Sequence, residues 1–148
     1  METVFDLNRF VRAQEHGKWG SSYDVALAEI RAGRKRSHWI WYIFPQIKGI
    51  PGGASINTIR YSIQSLDEAR AYAAHTVLGA RLREITGALL DLPYKPVSSV
   101  MGSVIDALKL RSCMTLFYYA TGEDCFKEVV NRYFSGDFDP ITRRILSI

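Results

Sequence analysis

Apolar residues recur along most of this chain at the three- and four-residue spacing of a helix, not at the alternating spacing of a half-buried strand. In the stretch "YDVALAEIR", Asp24 and Glu29 fall on a polar side opposite one apolar stripe formed by Tyr23, Ala26, Leu27 and Ile30. Similar stripes recur through the second half of the chain. The pattern therefore predicts an all-α fold, compact and multihelical.

Residues that favour helix ends divide this pattern into segments. Four side chains are placed to cap helix N-termini: Asp6, Ser21 or Ser22, Ser65 and Asp139. Glycine- and proline-containing loops are predicted at 17–20, 49–53 ("GIPGG") and 91–96 ("DLPYKP"). We expect helices at about 6–14, 22–33, 66–74, 76–90, 103–120 and 123–134, and a short final helix from Pro140.

Residues 39–44, "WIWYIF", are apolar without a polar face and end at Pro45. A proline removes a backbone donor and ends a helix or a central strand. The segment is therefore predicted to be buried, as either a very short helix or a strand-like stretch, and periodicity does not separate the two.

The helix predicted from about Ser103 to Ala120 carries a charged pair in an apolar setting. Asp106 and Lys109 lie about 60° apart on a helical wheel beside an apolar arc, whereas Arg111 falls on the opposite side. Because an unpaired buried charge costs several kcal/mol, the pair is either matched within the protein or serves a ligand. A structural ion pair, or a Lys109 that extends from the rim of the core to water, is the alternative to a site.

The basic run "RAGRKR" at residues 31–36 lies at the end of the second predicted helix, where positive charge complements the helix dipole. A solvated helix terminus explains this run without a ligand. Alternatively, Lys35 and His38 hold a phosphate while a ring of a nucleotide-like ligand stacks on Trp39 or Trp41. His38 is also a candidate general acid or base, or else a core or helix-start residue.

Composition and charge limit the classes of function. The 148 residues are 47% hydrophobic, enough for a core, and we expect one domain over 1–148. A net charge of +4 permits contact with phosphates but does not favour a nucleic-acid-binding surface. Without a signal peptide or an apolar run of roughly 18 residues, we expect a cytoplasmic protein that does not contact membranes. Cys113 and Cys125 lack zinc-site spacing and no nucleotide-binding signature occurs, so no metal or cofactor is predicted.

Four stretches of the sequence resemble those of a known family: "FVRAQ", "ALAEIRAGRKRSHWIWYIFPQIKG", "SLDEARAY" and "DALKLRSCMTLF". In this order, over residues 5–143, the chain resembles the family of small bacterial and fungal proteins called domain of unknown function 1810. The resemblance implies a compact multihelical fold with a short buried central helix after His38. It implies no established reaction.

The recurring polar residues of that family fall on eight positions of this chain: Gln14, Tyr23, Lys35, His38, Gln46, Asp106, Lys109 and Ser112. So many polar positions beside apolar segments suggest a shared cleft. Two positions depart from the family pattern, since Thr76 replaces a frequent proline and Cys113 a frequent serine. A nucleophile at position 113 is therefore not implied for the family.

The helix order and the stretch "DALKLRSCMTLF" also resemble, more loosely, the NADAR family, which acts on N-glycosidic compounds of the ADP-ribose type. That resemblance implies that Lys35, His38 and Lys109 hold phosphates and that one tryptophan of residues 39–44 stacks on a base. It also implies that Asp106 polarises a water or stabilises an oxocarbenium-like centre. No second carboxylate is evident in the sequence.

Two hypotheses of different classes follow. The first is a domain with a cationic and aromatic cleft for a phosphorylated or nucleotide-like compound, with N-glycoside hydrolysis as its candidate reaction. In it His38 and Asp106 are catalytic, and eight residues bind the ligand: Gln14, Tyr23, Lys35, Trp39, Trp41, Gln46, Lys109 and Ser112. The second is a noncatalytic protein-interaction module whose buried polar residues are structural. Convergence of Lys35, His38, Asp106 and Lys109 on one accessible pocket distinguishes them.

Overall fold

Helices make up nearly all the regular structure in the computed structural model, which describes residues 5–17, 21–51 and 56–148. The all-α prediction is confirmed. Ten helices lie in the described ranges: α1 (Asn8–His16), α2 (Tyr23–Arg31), α3 (Ile40–Ile43), α4 (Ile56–Arg60), α5 (Leu66–Ala74), α6 (Leu78–Asp91), α7 (Val97–Met101), α8 (Val104–Thr121), α9 (Asp124–Phe134) and α10 (Pro140–Leu146).

The longest helix, α8, runs through the centre of the core. Every residue from 112 to 117 is buried, which places this part of α8 among neighbours on all sides. Along its whole length α8 contacts α3, α5, α7, α9 and α10. The first turns of α8 differ, because Val104, Ile105 and Leu108 are exposed there. Within the described ranges, no helix is both long and apolar enough to cross a membrane.

Three of the four predicted helix caps are confirmed. Ser22, Ser65 and Asp139 each accept a hydrogen bond from the backbone N–H three residues later. The prediction for Asp6 is wrong, because α1 begins at Asn8 and Leu7 occupies the capping position. Asp6 lies one residue before the N-cap position, so its carboxylate does not cap α1.

Two short helices, α4 and α7, were not predicted from the sequence. Each has five residues, which is too short for a helical repeat of apolar positions to be recognised. Gly17 follows α1 directly, with φ of 72°. Residues 18–20 of the predicted first loop and residues 52–53 of "GIPGG" lie outside the described residues.

The apolar segment before Pro45 forms a short helix, α3, as the family resemblance implies. Five of its six residues from 39 to 44 are buried, and Trp41 is partly exposed. The helix packs against α1 and α8. After it, Ile47 and Ile63 pair in an isolated parallel bridge, in which Ile63 N–H donates to the Gln46 carbonyl and Lys48 N–H donates to the Ile63 carbonyl, both at 2.8 Å.

Candidate functional site

Asp106 lies between two lysines in the first turn of α8. Lys35 Nζ is 2.8 Å from Asp106 Oδ2, and Lys109 Nζ is 3.9 Å from Asp106 Oδ1. Lys35 is only 8% exposed, and its ammonium also donates to the Ser37 carbonyl at 2.5 Å and lies 5.0 Å from the centre of the Trp39 ring. The buried ammonium is thus matched by a carboxylate and a carbonyl, as its surroundings of low polarity require.

Glu29 organises the loop that carries Lys35. Its Oε1 accepts hydrogen bonds from Arg36 N (2.7 Å), Ser37 N (2.9 Å) and Trp39 Nε1 (2.9 Å), and its Oε2 accepts from the Ser37 hydroxyl. Burial raises the pKa of this carboxyl, but the hydrogen bonds outweigh burial and hold the pKa below its ordinary value. The helical pattern places Glu29 on the polar side of α2 and gives no sign of these partners, two of which are backbone amides.

Gln14 and Tyr23 are buried and bonded to neighbouring elements. Gln14 Nε2 donates to the Tyr42 carbonyl at 2.8 Å and to the Tyr72 hydroxyl oxygen at 3.0 Å, which joins α1 to α3 and α5. The Tyr23 hydroxyl donates to Glu84 Oε1 at 2.6 Å and so joins α2 to α6. Burial raises the pKa of the Tyr23 hydroxyl, and the Glu84 carboxylate raises it further.

A cleft of about 920 Å³ lies beside the first half of α8 and is also lined by residues of α4, α10 and the segment 46–51. Four of the residues proposed from the sequence line it: Trp41, Gln46, Lys109 and Ser112. Six others are not among its lining residues: Gln14, Tyr23, Lys35, His38, Trp39 and Asp106. Of the four residues whose convergence on one pocket separates the two hypotheses, only Lys109 lines this cleft, so the predicted convergence is not seen there. Lys109 belongs both to the ion cluster around Asp106 and to the cleft.

The aromatic segment contributes one ring to the cleft. Trp41 is partly exposed, and Lys109 Nζ lies 5.2 Å from the centre of its ring. Trp39, by contrast, is completely buried, and its indole N–H donates to Glu29. His38 is exposed to solvent and stands apart from the cleft lining.

The cleft is electrostatically unbalanced toward positive charge. Among the described residues that line it, Lys48, Lys109 and Arg111 are cationic and Asp139 carries the one carboxylate. Arg111 Nη2 is 3.4 Å from Asp139 Oδ1, and Arg111 Nε is buried with no hydrogen-bond partner among the described residues. Arg111 was placed opposite Lys109 by the helical wheel, but its side chain reaches the same cleft. The sequence signal that could have found it is the pair of apolar residues Ile105 and Leu108, which lie between Lys109 and Arg111 on the helical wheel. That these two residues are exposed is evident only in the structure.

A chain of hydrogen bonds connects the cleft to the start of α10. Thr142 Oγ1 donates to Asp139 Oδ2 at 2.5 Å, since an ionised carboxylate only accepts. Thr142 has then used its single hydroxyl proton, so in the 2.9 Å contact between Ser112 Oγ and Thr142 Oγ1 the serine is the donor. The Ser112 hydroxyl proton is used in the hydrogen bond to Thr142, so the Ser112 hydroxyl oxygen remains able to accept a hydrogen bond from another group.

Replacement of Ser112 by alanine is expected to lower the free energy of unfolding by about 1 kcal/mol, because it removes one buried hydrogen bond between α8 and α10. Urea denaturation followed by circular dichroism measures this loss. The control is Ser99→Ala, an exposed serine of α7, which should change stability by less than about 0.5 kcal/mol. Equal stabilities of the two variants would show that the Ser112 bond contributes nothing.

Two comparisons with known proteins cover nearly the whole chain. The family model described as protein of unknown function (DUF1810) matches residues 4–146. The chain belongs to this family. The DUF1810 chain is also similar to the conserved hypothetical protein Rv1873 from Mycobacterium tuberculosis. The crystal structure of that protein has 41% sequence identity and a TM-score of 0.89, over 97% of this chain and 98% of that one. The family resemblance found in the sequence is thereby confirmed, and no curated protein matches the chain.

Candidate metal ligands do not cluster in the described part of the DUF1810 chain, and its two cysteines are not joined in a disulfide. No group of three His, Cys, Asp or Glu side chains there is placed to hold a metal ion. Cys113 and Cys125 are both free thiols. Cys113 is fully buried, and burial raises the pKa of its thiol well above the ordinary value. A thiol held in the protonated form is a poor nucleophile, which fits Cys113 as a core residue.

Proposed function

We propose that the cleft binds a small anionic compound, phosphorylated or nucleotide-like. The net positive charge of the lining carries the proposal. Among the described lining residues, three are cationic, Lys48, Lys109 and Arg111, and one, Asp139, is a carboxylate. Arg111 is held to Asp139 by one long contact of 3.4 Å. A partly buried guanidinium with unused donors is stabilised by an oxyanion, and arginine forms geometrically specific bonds with phosphate and carboxylate groups.

The cleft places an aromatic side chain for a planar ring close to a cation for a phosphate. Trp41 is partly exposed and lines the cleft, and Lys109 Nζ lies over one face of its ring, so a ligand ring would stack on the other face. Stacking of a ligand ring on an aromatic side chain contributes about 1–3 kcal/mol for a nucleobase. In this arrangement Asp106 positions Lys109 at 3.9 Å, while Lys35 stays in the core as the partner of Asp106.

The proposal concerns binding and does not include hydrolysis of the ligand. Glycoside hydrolysis commonly uses two carboxyl groups that flank the bond to be broken. Asp106 is paired with Lys35 and Lys109 and does not line the cleft. Asp139 lines it, but accepts bonds from the backbone and hydroxyl of Thr142. Both carboxylates are thus occupied by partners within the protein.

Isothermal titration calorimetry with AMP, ADP-ribose and phenyl phosphate tests the proposal. We expect saturable binding of at least one compound and an affinity about 10-fold lower in Lys109→Met, since a hydrogen bond to a charged group contributes about 1.5 kcal/mol or more. Lys127→Met, which removes an exposed lysine of α9 outside the cleft lining, is the control and should bind as the parent does. Absence of saturable binding at millimolar concentrations, or equal losses in both variants, would show that the proposal is wrong.

A further inference from the structure

Four exposed aliphatic side chains line the cleft, and we call them the apolar rim. They are Ile59 of α4, Ile105 and Leu108 of α8, and Ile141 of α10, with exposed fractions of 65%, 67%, 50% and 37%. Single exposed aliphatic residues are ordinary on a protein surface. Four of them from three helices around one cleft form a patch of the kind that marks a binding surface.

The apolar rim adjoins the cations of the cleft. Lys109 follows Leu108 directly in α8, and Arg111 lies three residues after Leu108, so that both cations are within one helical turn of the rim. A phosphate and a sugar would satisfy these cations but would leave the aliphatic side chains in water. An apolar chain attached to an anionic head group would satisfy the cations and cover the rim.

We infer that the ligand is a single-chain anionic amphiphile, with a phosphate or carboxylate head at Lys109 and Arg111 and an apolar chain along the apolar rim. The inference rests on the proposed function: it keeps the anionic group at the cations and adds an apolar chain in place of a planar ring. The cleft volume of about 920 Å³ lies at the upper end of the range for small-molecule sites, which leaves space for a chain beside the head group.

A second copy of the chain is the other occupant that would cover an apolar surface. A twofold interface places the same patch of each copy against its counterpart. Each copy would then bring three cations of this patch into one interface, with Asp139 as the one acidic residue of the described lining; the cations are Lys48, Lys109 and Arg111. Like charges brought together in this way oppose association, whereas an anionic ligand is complementary to them.

Titration with alkyl phosphates of different chain length tests the inference. Butyl phosphate and octyl phosphate are titrated by calorimetry, each below its critical micelle concentration. We expect octyl phosphate to bind at least about 10-fold more tightly, since each methylene that becomes buried contributes up to about fourfold in affinity. In Ile105→Ser and Leu108→Ser the ratio should fall to about threefold or less. Val104→Ser is the matched control, since Val104 is equally exposed in the same turn but does not line the cleft, and its ratio should equal that of the parent.

The outcomes separate the inference from the proposed function. If butyl phosphate binds through Lys109 and the longer chain adds nothing, the amphiphile inference is wrong and binding of small anions stands. If neither alkyl phosphate binds, the inference is wrong, and the titration with AMP, ADP-ribose and phenyl phosphate decides the proposed function separately. Equal binding of uncharged octyl glucoside would refute the role of the anionic head. A dimer in sedimentation experiments that Ile105→Ser dissociates would show that the apolar rim is a contact between two copies.

Discussion

The Asp106→Ala protein is expected to be about 3 kcal/mol less stable than the parent at neutral pH. The substitution removes the carboxylate that lies 2.8 Å from Lys35 Nζ and leaves that buried ammonium with the Ser37 carbonyl as its remaining hydrogen-bond acceptor. Removal of one partner of a buried ion pair is costly because the other charge stays in a medium of low polarity. Urea denaturation monitored by circular dichroism gives the free energy of unfolding for each protein.

Asp67→Ala is the matched control for this prediction. Asp67 is likewise in the first turn of its helix, α5, and pairs with Arg70 three residues later, but both side chains are largely exposed. Its replacement should cost less than about 1 kcal/mol. The double variant Lys35→Met and Asp106→Ala should recover a large part of the loss, because no unpaired charge remains. A loss in Asp106→Ala no greater than in Asp67→Ala would contradict the structural role of Asp106.

Removal of the Glu29 carboxylate is expected to cost a similar amount, about 3 kcal/mol in Glu29→Ala. The side chain accepts hydrogen bonds from two backbone amides, one hydroxyl and the indole N–H of Trp39. Trp39 is completely buried, so its indole N–H cannot turn to water when Glu29 is lost. Asp24→Ala, which removes an exposed carboxylate from the same helix, should change stability by less than about 0.5 kcal/mol.

The Glu29 contribution should also depend on pH. Its pKa in the folded protein lies below the ordinary carboxyl value of 4.5, so its stabilising effect is complete above that value and is lost as the pH falls through the folded pKa. The stability difference between the parent and Glu29→Gln should therefore be largest near neutral pH and shrink below about pH 4.5. Denaturation curves at several pH values from 7 to 3 measure this difference. A constant difference over the whole range would show that the hydrogen-bonded carboxylate is not the cause.

Features that depend on a few neighbouring residues could be predicted from the sequence. The caps Ser22, Ser65 and Asp139 were found because the capping side chain and the amide that it accepts from are three residues apart. The pair Asp106 and Lys109 was found for the same reason, since three residues bring two side chains to one face of a helix. For such features the local sequence already contains both partners.

Features that join distant segments could not be predicted in the same way. The charged pair on α8 indicated that a partner or a ligand was required, but only the fold shows that Lys35, from the loop after α2, is the partner of Asp106. The lining residues of the cleft could not be identified from the sequence for a related reason. Ile59 belongs to the five-residue helix α4 and Lys48 to a loop, and neither segment has a periodic pattern. The aromatic stretch around Trp41 was recognised, but its sequence does not show which ring is exposed.

The bridge between Ile47 and Ile63 fixes the backbone at one wall of the cleft, whichever side chain stands at position 48. Backbone hydrogen bonds on both sides of Ile47 fix the path of the chain there, and Lys48 N–H is one of the donors. Any residue except proline supplies the same donor, so the path does not depend on the lysine side chain. The charge of the cleft lining at position 48 can therefore be reversed by substitution without a change in the backbone that carries it.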